Sequence, residues 1–498
     1  MPVATGLDES GVEADIVVPI EDEVASTSRL GAYFTVLFAG FALLSDGYQN
    51  GIVSFVNSVF SRMYPDHYTD AVSTRISNAA LAGQIVGQLG FGLIVDRIGR
   101  KTGLVACTIL VVIGAGLTAA SQGPRGDVGG LFWMMTIMRG VLGVGVGGEY
   151  PCSSASASEA ADLVKQGKRG GIFVLVTNVV IDVGFVLSAV VPAILLMIFG
   201  WNEGANLQVV WRLALGFGML PPLSVLYFRI KSLNVERYSK NHMKHSVPYI
   251  LILKKYWPRL LVTSGIWFFY DFIAYPAGIF WSVIISTAVP DPSNLFKIQC
   301  WGILLNFFYL PGAFLGAVAV DKIGRRKTMA LGFVGIFLFG VSIVLLYESL
   351  VAHALPVFVL LYGLYLSSGE FGPGDCIGLT AAESYPTAIR GTAYGISAAV
   401  GKIGAFIGTQ AFRPLTRAFE PGSPEAQKIP FLVGAIAALI GAIISYMFLP
   451  EYNGRSLEIE DAEFRAYLVE NGIQVDALVG DRAIADEIDR EERVGLLT

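Results

Sequence analysis

Apolar runs of roughly 20 residues, separated by short polar breaks, recur along the whole chain, and each is long enough to cross about 30 Å of hydrocarbon as a helix. About twelve such runs are read, centred near Phe41, Gln84, Val111, Leu142, Val183, Gly216, Phe269, Phe308, Ile336, Tyr365, Gly404 and Leu439. The expected fold class is an all-α, multi-pass integral membrane protein with twelve transmembrane helices.

Composition agrees. The 498 residues are 54% hydrophobic and 15% charged, with a mean hydropathy of +0.60, whereas a soluble domain carries about 25% charged residues. The first thirty residues are acidic and lack a basic start before an apolar core. A cleaved signal peptide is therefore not expected, and the first span directs insertion.

The distribution of charge says more than its total. Of the net −5, residues 1–30 carry −6 and residues 451–498 carry −8, so the segment between them carries +9. The positive charge gathers in the long middle stretch beginning "RIKSLNVERYSK", in "DRIGRK" and in "DKIGRRK". Twelve spans put all three on one side, which the positive-inside rule makes cytoplasmic together with both termini. Five segments follow: an acidic cytoplasmic tail (1–30), an N-terminal six-helix half (31–228), a basic cytoplasmic loop (229–258), a C-terminal six-helix half (259–450) and a second acidic tail (451–498). The tails are expected to be solvated and partly disordered.

An internal repeat supports the two halves. Asp96-Arg97-Ile-Gly-Arg100-Lys recurs as Asp321-Lys-Ile-Gly-Arg325-Arg at an offset of 225 residues. Glu159 and Glu383 follow at an offset of 224, each shortly before an Arg-Gly pair, Arg169 and Arg390, at an offset of 221. Parallel halves of this kind match the major facilitator plan, in which substrate is held near the midplane between them. "GLIVDRIGRK" resembles that superfamily's loop motif; the second copy is less complete, with Ala317 in place of Gly92. The charged residues of both copies, Asp96, Arg97, Arg100, Glu159, Arg169, Asp321, Arg325, Glu383 and Arg390, are expected to pair between helix ends, favour one closed arrangement and separate when the halves rock.

Ionisable residues inside spans each oppose insertion by about 2.5 to 3.5 kcal/mol, so they need partners or a wet pathway. Here they are Asp46, Arg139, Glu149, Asp182, Asp271, Glu370, Asp375 and Lys402. Asp46 and Tyr48 sit beside two glycines expected to loosen the first helix. Trp267, Asp271 and Tyr275 follow i, i+4, i+8 spacing and share one helical face, a candidate ligand-facing wall. Pro276 is expected to break that helix and free carbonyls to the cavity. Lys402 could neutralise Asp271 or Asp375, or bind an anion, and the two roles are compatible.

The stretch "GVGVGGEYP" ends another run. Its glycines lie in a membrane helix and are expected to bring backbones together, with Glu149 and Tyr150 facing the cavity. Arg139 either tunes Glu149 or forms a structural pair with it. The four cysteines (Cys107, Cys152, Cys300, Cys376) show no metal-ligand spacing, and the four histidines (His67, His242, His245, His353) lie in or beside loops. No metal, cofactor or nucleic-acid partner is expected, and a membrane hydrolase is disfavoured.

Taken together, "GVGVGGEYP", "SEAADLVKQGKRG", "SDGY", W-x3-D-x3-Y and "GISAAVGKIGAF" resemble the phosphate:proton symporter branch of the major facilitator superfamily, from about Gly31 to Pro450. The resemblance implies that Tyr150, Trp267, Asp271, Tyr275 and Lys402 contact the phosphoryl group, with a polar residue of span five, Thr177 or Asn178. It implies that Asp46 and Glu149 belong to the proton route; Asp271 is expected to join them as a carrier, because burial and cationic neighbours act on its protonation in opposite directions.

Inorganic phosphate transporters tend to have "FGPN", but this chain reads Glu370-Phe-Gly-Pro-Gly-Asp375. "GEFGPGD" resembles the fungal glycerophosphoinositol permeases. Loss of the asparagine opens space, while Glu370 and Asp375 offer acceptors to hydroxyl groups or to a cationic head group. The expected function is proton-coupled import of glycerophosphodiesters, glycerophosphoinositol first, by a monomer in the plasma membrane. The alternatives are an inorganic phosphate:proton symporter and, in another class, a nutrient sensor that does not transport.

Overall fold

The computed structural model describes residues 41–164, 169–200, 206–232, 248–288, 294–420, 423–451 and 457–473. Both distal tails and residues 233–247 of the basic loop lie outside that set. Among the described residues, ten helices are long and apolar enough to cross a membrane. In chain order they are α2 (Asp70–Arg97), α3 (Arg100–Ala119), α4 (Val128–Ser158, extending to Val164), α5 (Arg169–Ile198), α6 (Leu207–Ile230), α7 (Ile250–Ser286), α8 (Leu295–Lys322), α9 (Arg325–His353), α10 (Leu355–Glu383) and α12 (Pro424–Phe448).

Two further helices complete the expected twelve, α1 (Leu43–Met63) and α11 (Arg390–Arg417). They are more polar, and the polar residues face inward: Ser45, Asp46, Gln49, Asn50, Ser54 and Asn57 of α1 are buried, as are Ser397, Lys402 and Thr409 of α11. Such helices suit the interior of a bundle rather than lipid.

The halves meet along α1–α7, α2–α11 and α5–α8. The α2–α11 and α5–α8 seams exchange when the halves are exchanged, as the repeat predicts. Within the N-terminal half α4 packs on α2 and α3. A Cβ at Gly143 would collide with the Ala80 carbonyl, and one at Gly147 with Gln84. Glycine at these positions lets the α4 and α2 backbones touch.

Three expectations are corrected here. Gly47 and Gly51 do not loosen α1, which is continuous; they seat it against Ile181 and Ser188 of α5. Pro276 does not break α7, which runs unbroken from Tyr249 to Ala288. The Phe272 carbonyl, deprived of its helical donor by Pro276, abuts Gly408 of α11 rather than the cavity.

The third concerns the acidic tail, part of which is folded. Leu457–Glu470 forms helix α13. Its Phe464 and Leu468 join a cluster with Ile252, Tyr256, Tyr385 and Ile389. Glu460 accepts from Arg259 at 2.7 Å and from Tyr256 Oη at 3.0 Å. Asp461 accepts from the Thr387 backbone N–H at 2.6 Å and from its hydroxyl at 2.8 Å. Acidic composition concealed an apolar face whose carboxylates have specific partners.

Candidate binding site

Between the halves lies a cavity bounding about 850 Å³ of atom-free space, its openings included. Helices α1, α4, α5, α7, α8, α10 and α11 all contribute to its wall. On one wall Lys402 Nζ donates to Asp271 Oδ2 at 2.8 Å. The same ammonium lies 4.3 Å from the Tyr275 ring centroid and 4.9 Å from that of Tyr150. Trp267 stands edge-on to Tyr394 at 5.3 Å, and Tyr394 Oη accepts from Ser154 Oγ at 2.8 Å.

Why the sequence produces this wall is clear locally. Trp267, Asp271 and Tyr275 occupy successive turns of α7, and Gly401 and Gly404 bring α11 against Trp267 and Phe268. Lys402, between those glycines, is thereby delivered to Asp271. Among the described residues, Lys402 is the one lysine or arginine lining the cavity. A carboxylate now occupies part of its coordination, and an anion bearing several oxygens could replace it.

Another part of the lining is acidic. In α10 a π-helical turn spans Glu370–Gly374, an irregularity of the kind found at functional sites. It turns Glu370 and Asp375 towards α5, where Asn178 Nδ2 donates to Glu370 Oε2 at 2.8 Å and to Asp375 Oδ1 at 2.6 Å. Tyr270 Oη donates to Glu370 Oε1 at 2.7 Å. Asp182, one turn beyond Asn178, also lines the cavity.

Asp46 lies just behind the lining. Asn50 Nδ2 donates to its Oδ1 at 2.6 Å, and it is within electrostatic reach of Lys402, Tyr150 and Asp271.

Glu149 departs from expectation. It does not face the cavity: its Oε1 accepts from Arg229 at 2.6 Å, Thr108 at 3.1 Å and the Cys107 thiol at 3.2 Å, and its Oε2 from Ser153 at 3.0 Å. Nor is Arg139 its partner. Arg139 donates to the carbonyls of Ile76 at 3.1 Å and Gln49 at 3.4 Å. On α4, Tyr150 enters the cavity, while Glu149 turns to α3 and α6. Arg229, read from the sequence as the start of a basic loop, is a fully buried residue of α6.

Cross-half contacts join the two halves towards both ends of the bundle. At the end bearing the repeated motifs, Asp96 accepts from the backbone N–H groups of Gly391 at 3.0 Å and Thr392 at 2.6 Å, capping α11. Asp321, its counterpart, accepts from Gly171 N–H at 2.9 Å in the first turn of α5. Arg100 pairs with Asp96 at 2.8 Å. Glu383 holds Arg169 at 2.7 Å and Arg325 at 2.9 Å. Arg97 is exposed, Arg390 is buried in the first turn of α11, and the side chain of Glu159 lies outside those described. At the other end Ser54 bonds Ser282 at 2.8 Å, and Asn78 donates to Gln410 at 3.0 Å.

Asp182, expected only to face an interior pathway, is in the lining, and lining residues to which sequence reasoning assigned no role include Tyr270, Tyr309, Tyr394 and Ser154. The i, i+4 relation of Asn178 to Asp182 places Asp182 on the same face as a residue already singled out.

Residues 32–464 match the family model described as "Sugar (and other) transporter". The chain is 44% identical to glycerophosphoinositol permease 1 of Candida albicans, over 91% of this chain and 85% of that protein. It is 42% identical to glycerophosphoinositol transporter 1 of Saccharomyces cerevisiae, over 88% of this chain and 83% of that protein. Among solved structures it resembles the major facilitator superfamily proton:xylose symporter XylE, with a TM-score of 0.72 at 17% identity, covering 88% of this chain and 99% of that one. The chain belongs to the sugar (and other) transporter family and has the major facilitator fold.

Proposed function

We propose that this chain is a proton-coupled carrier that imports glycerophosphodiesters, glycerophosphoinositol first. The observation that carries the reading is the Lys402–Asp271 pair at 2.8 Å inside a cavity walled by both halves. The 44% and 42% identities to proteins named for glycerophosphoinositol support the substrate class.

The phosphoryl group displaces Asp271 from Lys402 and is held by Lys402, with Tyr150, Trp267 and Tyr275 around it. Asp271, released from its cation, is then the group that carries a proton across with the substrate. Asp46 is the second proton carrier, because it is buried in α1 and bonded to Asn50, which lines the same cavity. Moving one negative charge inward against an inside-negative potential costs about 2.3 kcal/mol per 100 mV. Entry with two protons makes the net charge moved positive, so the potential then drives uptake.

Asp96, Arg169, Asp321 and Glu383 act as a gate whose cross-half bonds break when the halves rock. The carrier works as a monomer in the plasma membrane with its termini in the cytoplasm. The basic stretches at the motif end support that orientation.

The chain has Gly374 where inorganic phosphate transporters tend to have asparagine, and a Cβ there would collide with the Glu370 carboxylate. This disfavours free phosphate as the main substrate. Uptake of labelled glycerophosphoinositol, competed by glycerophosphocholine and by phosphate, tests the order of preference. A sensor that does not transport would show no counterflow.

A further inference from the structure

The acidic part of the cavity holds more acceptors than donors. The Asn178 amide nitrogen is shared between Glu370 and Asp375, and the Tyr270 hydroxyl is committed to Glu370. Both carboxylate oxygens of Asp182 and Oδ2 of Asp375 are buried without a hydrogen-bond partner. Asp182 is 0% exposed to solvent yet lines the cavity.

A buried carboxylate without partners costs stability, so a leucine of similar size would serve the fold better unless a ligand uses those oxygens. No donor on the described protein side meets them, so the complementary ligand must itself be rich in donors. A metal ion does not fit, because the described residues contain no group of three or more acidic, histidine or cysteine side chains able to hold one. A quaternary ammonium would offset the negative charge, but it carries no N–H or O–H and would leave the three orphan oxygens without a hydrogen bond. Adjacent hydroxyls on a ring fit: each donates one hydrogen bond, and several on one ring can serve acceptors on both α5 and α10.

We infer that Asp182, with Asp375 and Glu370, forms a subsite for a polyhydroxylated head group, distinct from the Lys402 subsite for the phosphoryl group. Asp182 is the specificity-determining member, because neither of its oxygens is engaged by the protein. The subsite rests on the phosphodiester reading proposed above and assigns which end of the substrate each wall receives.

The test compares initial uptake of labelled glycerophosphoinositol and glycerophosphocholine by the full chain in vesicles. In Asp182→Leu the ratio of inositol to choline ester uptake should fall at least about tenfold, the effect of losing hydrogen bonds to a charged acceptor. An unchanged ratio would overturn the subsite. The second measurement uses the unaltered chain and so does not depend on the variant folding. Glycerophosphate esters of inositol, of a monodeoxyinositol and of cyclohexanol should compete for glycerophosphoinositol uptake progressively more weakly, the last by about a hundredfold or more. Equal competition by the three overturns the subsite alone, whereas absence of any phosphodiester uptake by the unaltered chain overturns the transport reading and the subsite with it.

Discussion

Lys402 Nζ and Asp271 Oδ2 lie 2.8 Å apart, and both side chains are at most 3% exposed. Removing one partner of a buried pair leaves an uncompensated charge, at a cost of about 3 to 5 kcal/mol. Here the pair is also the proposed anchor for substrate. Lys402→Ala should reduce uptake at least about a hundredfold with the protein still present in the membrane. Uptake and surface level measured together check this, and near-normal uptake would remove Lys402 from the site.

Glu149 and Arg229 form a second buried pair, outside the cavity lining. Its geometry is that of a brace joining α3, α4 and α6. Glu149→Ala should lower stability by about 3 to 5 kcal/mol, while the double change Glu149→Leu with Arg229→Met should recover most of it. Thermal unfolding of the purified variants measures the recovery. Proton-coupled uptake by the double variant should match the original; loss of coupling with stability regained would return Glu149 to the proton route.

Gly374 is covered by the Glu370 carboxylate and the Tyr270 hydroxyl, so any side chain there must move Glu370. Gly374→Asn should cut glycerophosphoinositol uptake at least about tenfold and raise the relative uptake of inorganic phosphate. Gly374→Ala should show the first effect without the second, because it adds bulk but no amide donor. Competition assays on both variants separate size from hydrogen bonding.

Asp96 caps α11 across the interface between the halves. Asp96→Ala removes a cap worth about 0.5 to 2 kcal/mol and leaves Arg100 without its 2.8 Å partner. A thiol introduced by Ser154→Cys, in the cavity wall, should then react faster with a reagent supplied from the motif end. An unchanged rate would show that other contacts close that end.

Much of this was readable in the sequence because polar residues are conspicuous in a membrane segment. The helical spacing of Trp267, Asp271 and Tyr275 put them on one face, and Lys402 was the available cation. The 225-residue offset from Asp96 to Asp321 foretold matched roles, which the structure expresses as caps on α11 and α5. What the sequence concealed depends on direction rather than identity. Glu149 and Tyr150 are neighbours, yet successive residues of a helix point about 100° apart, and only Tyr150 meets the cavity. Arg229 looked like part of a basic loop because its partner is 80 residues away. The apolar face of α13 was hidden in an acidic tail, since Phe464 and Leu468 are too few to mark a helix by composition.

The central claim is that protons drive an intact phosphodiester through this cavity. It is tested most directly in vesicles containing the purified chain, by following doubly labelled glycerophosphoinositol and internal pH under an imposed proton gradient. The account predicts uphill accumulation of the uncleaved diester, acidification that requires substrate, and loss of both in Asp271→Asn. Equal accumulation with and without the gradient, or proton movement indifferent to substrate, would contradict it.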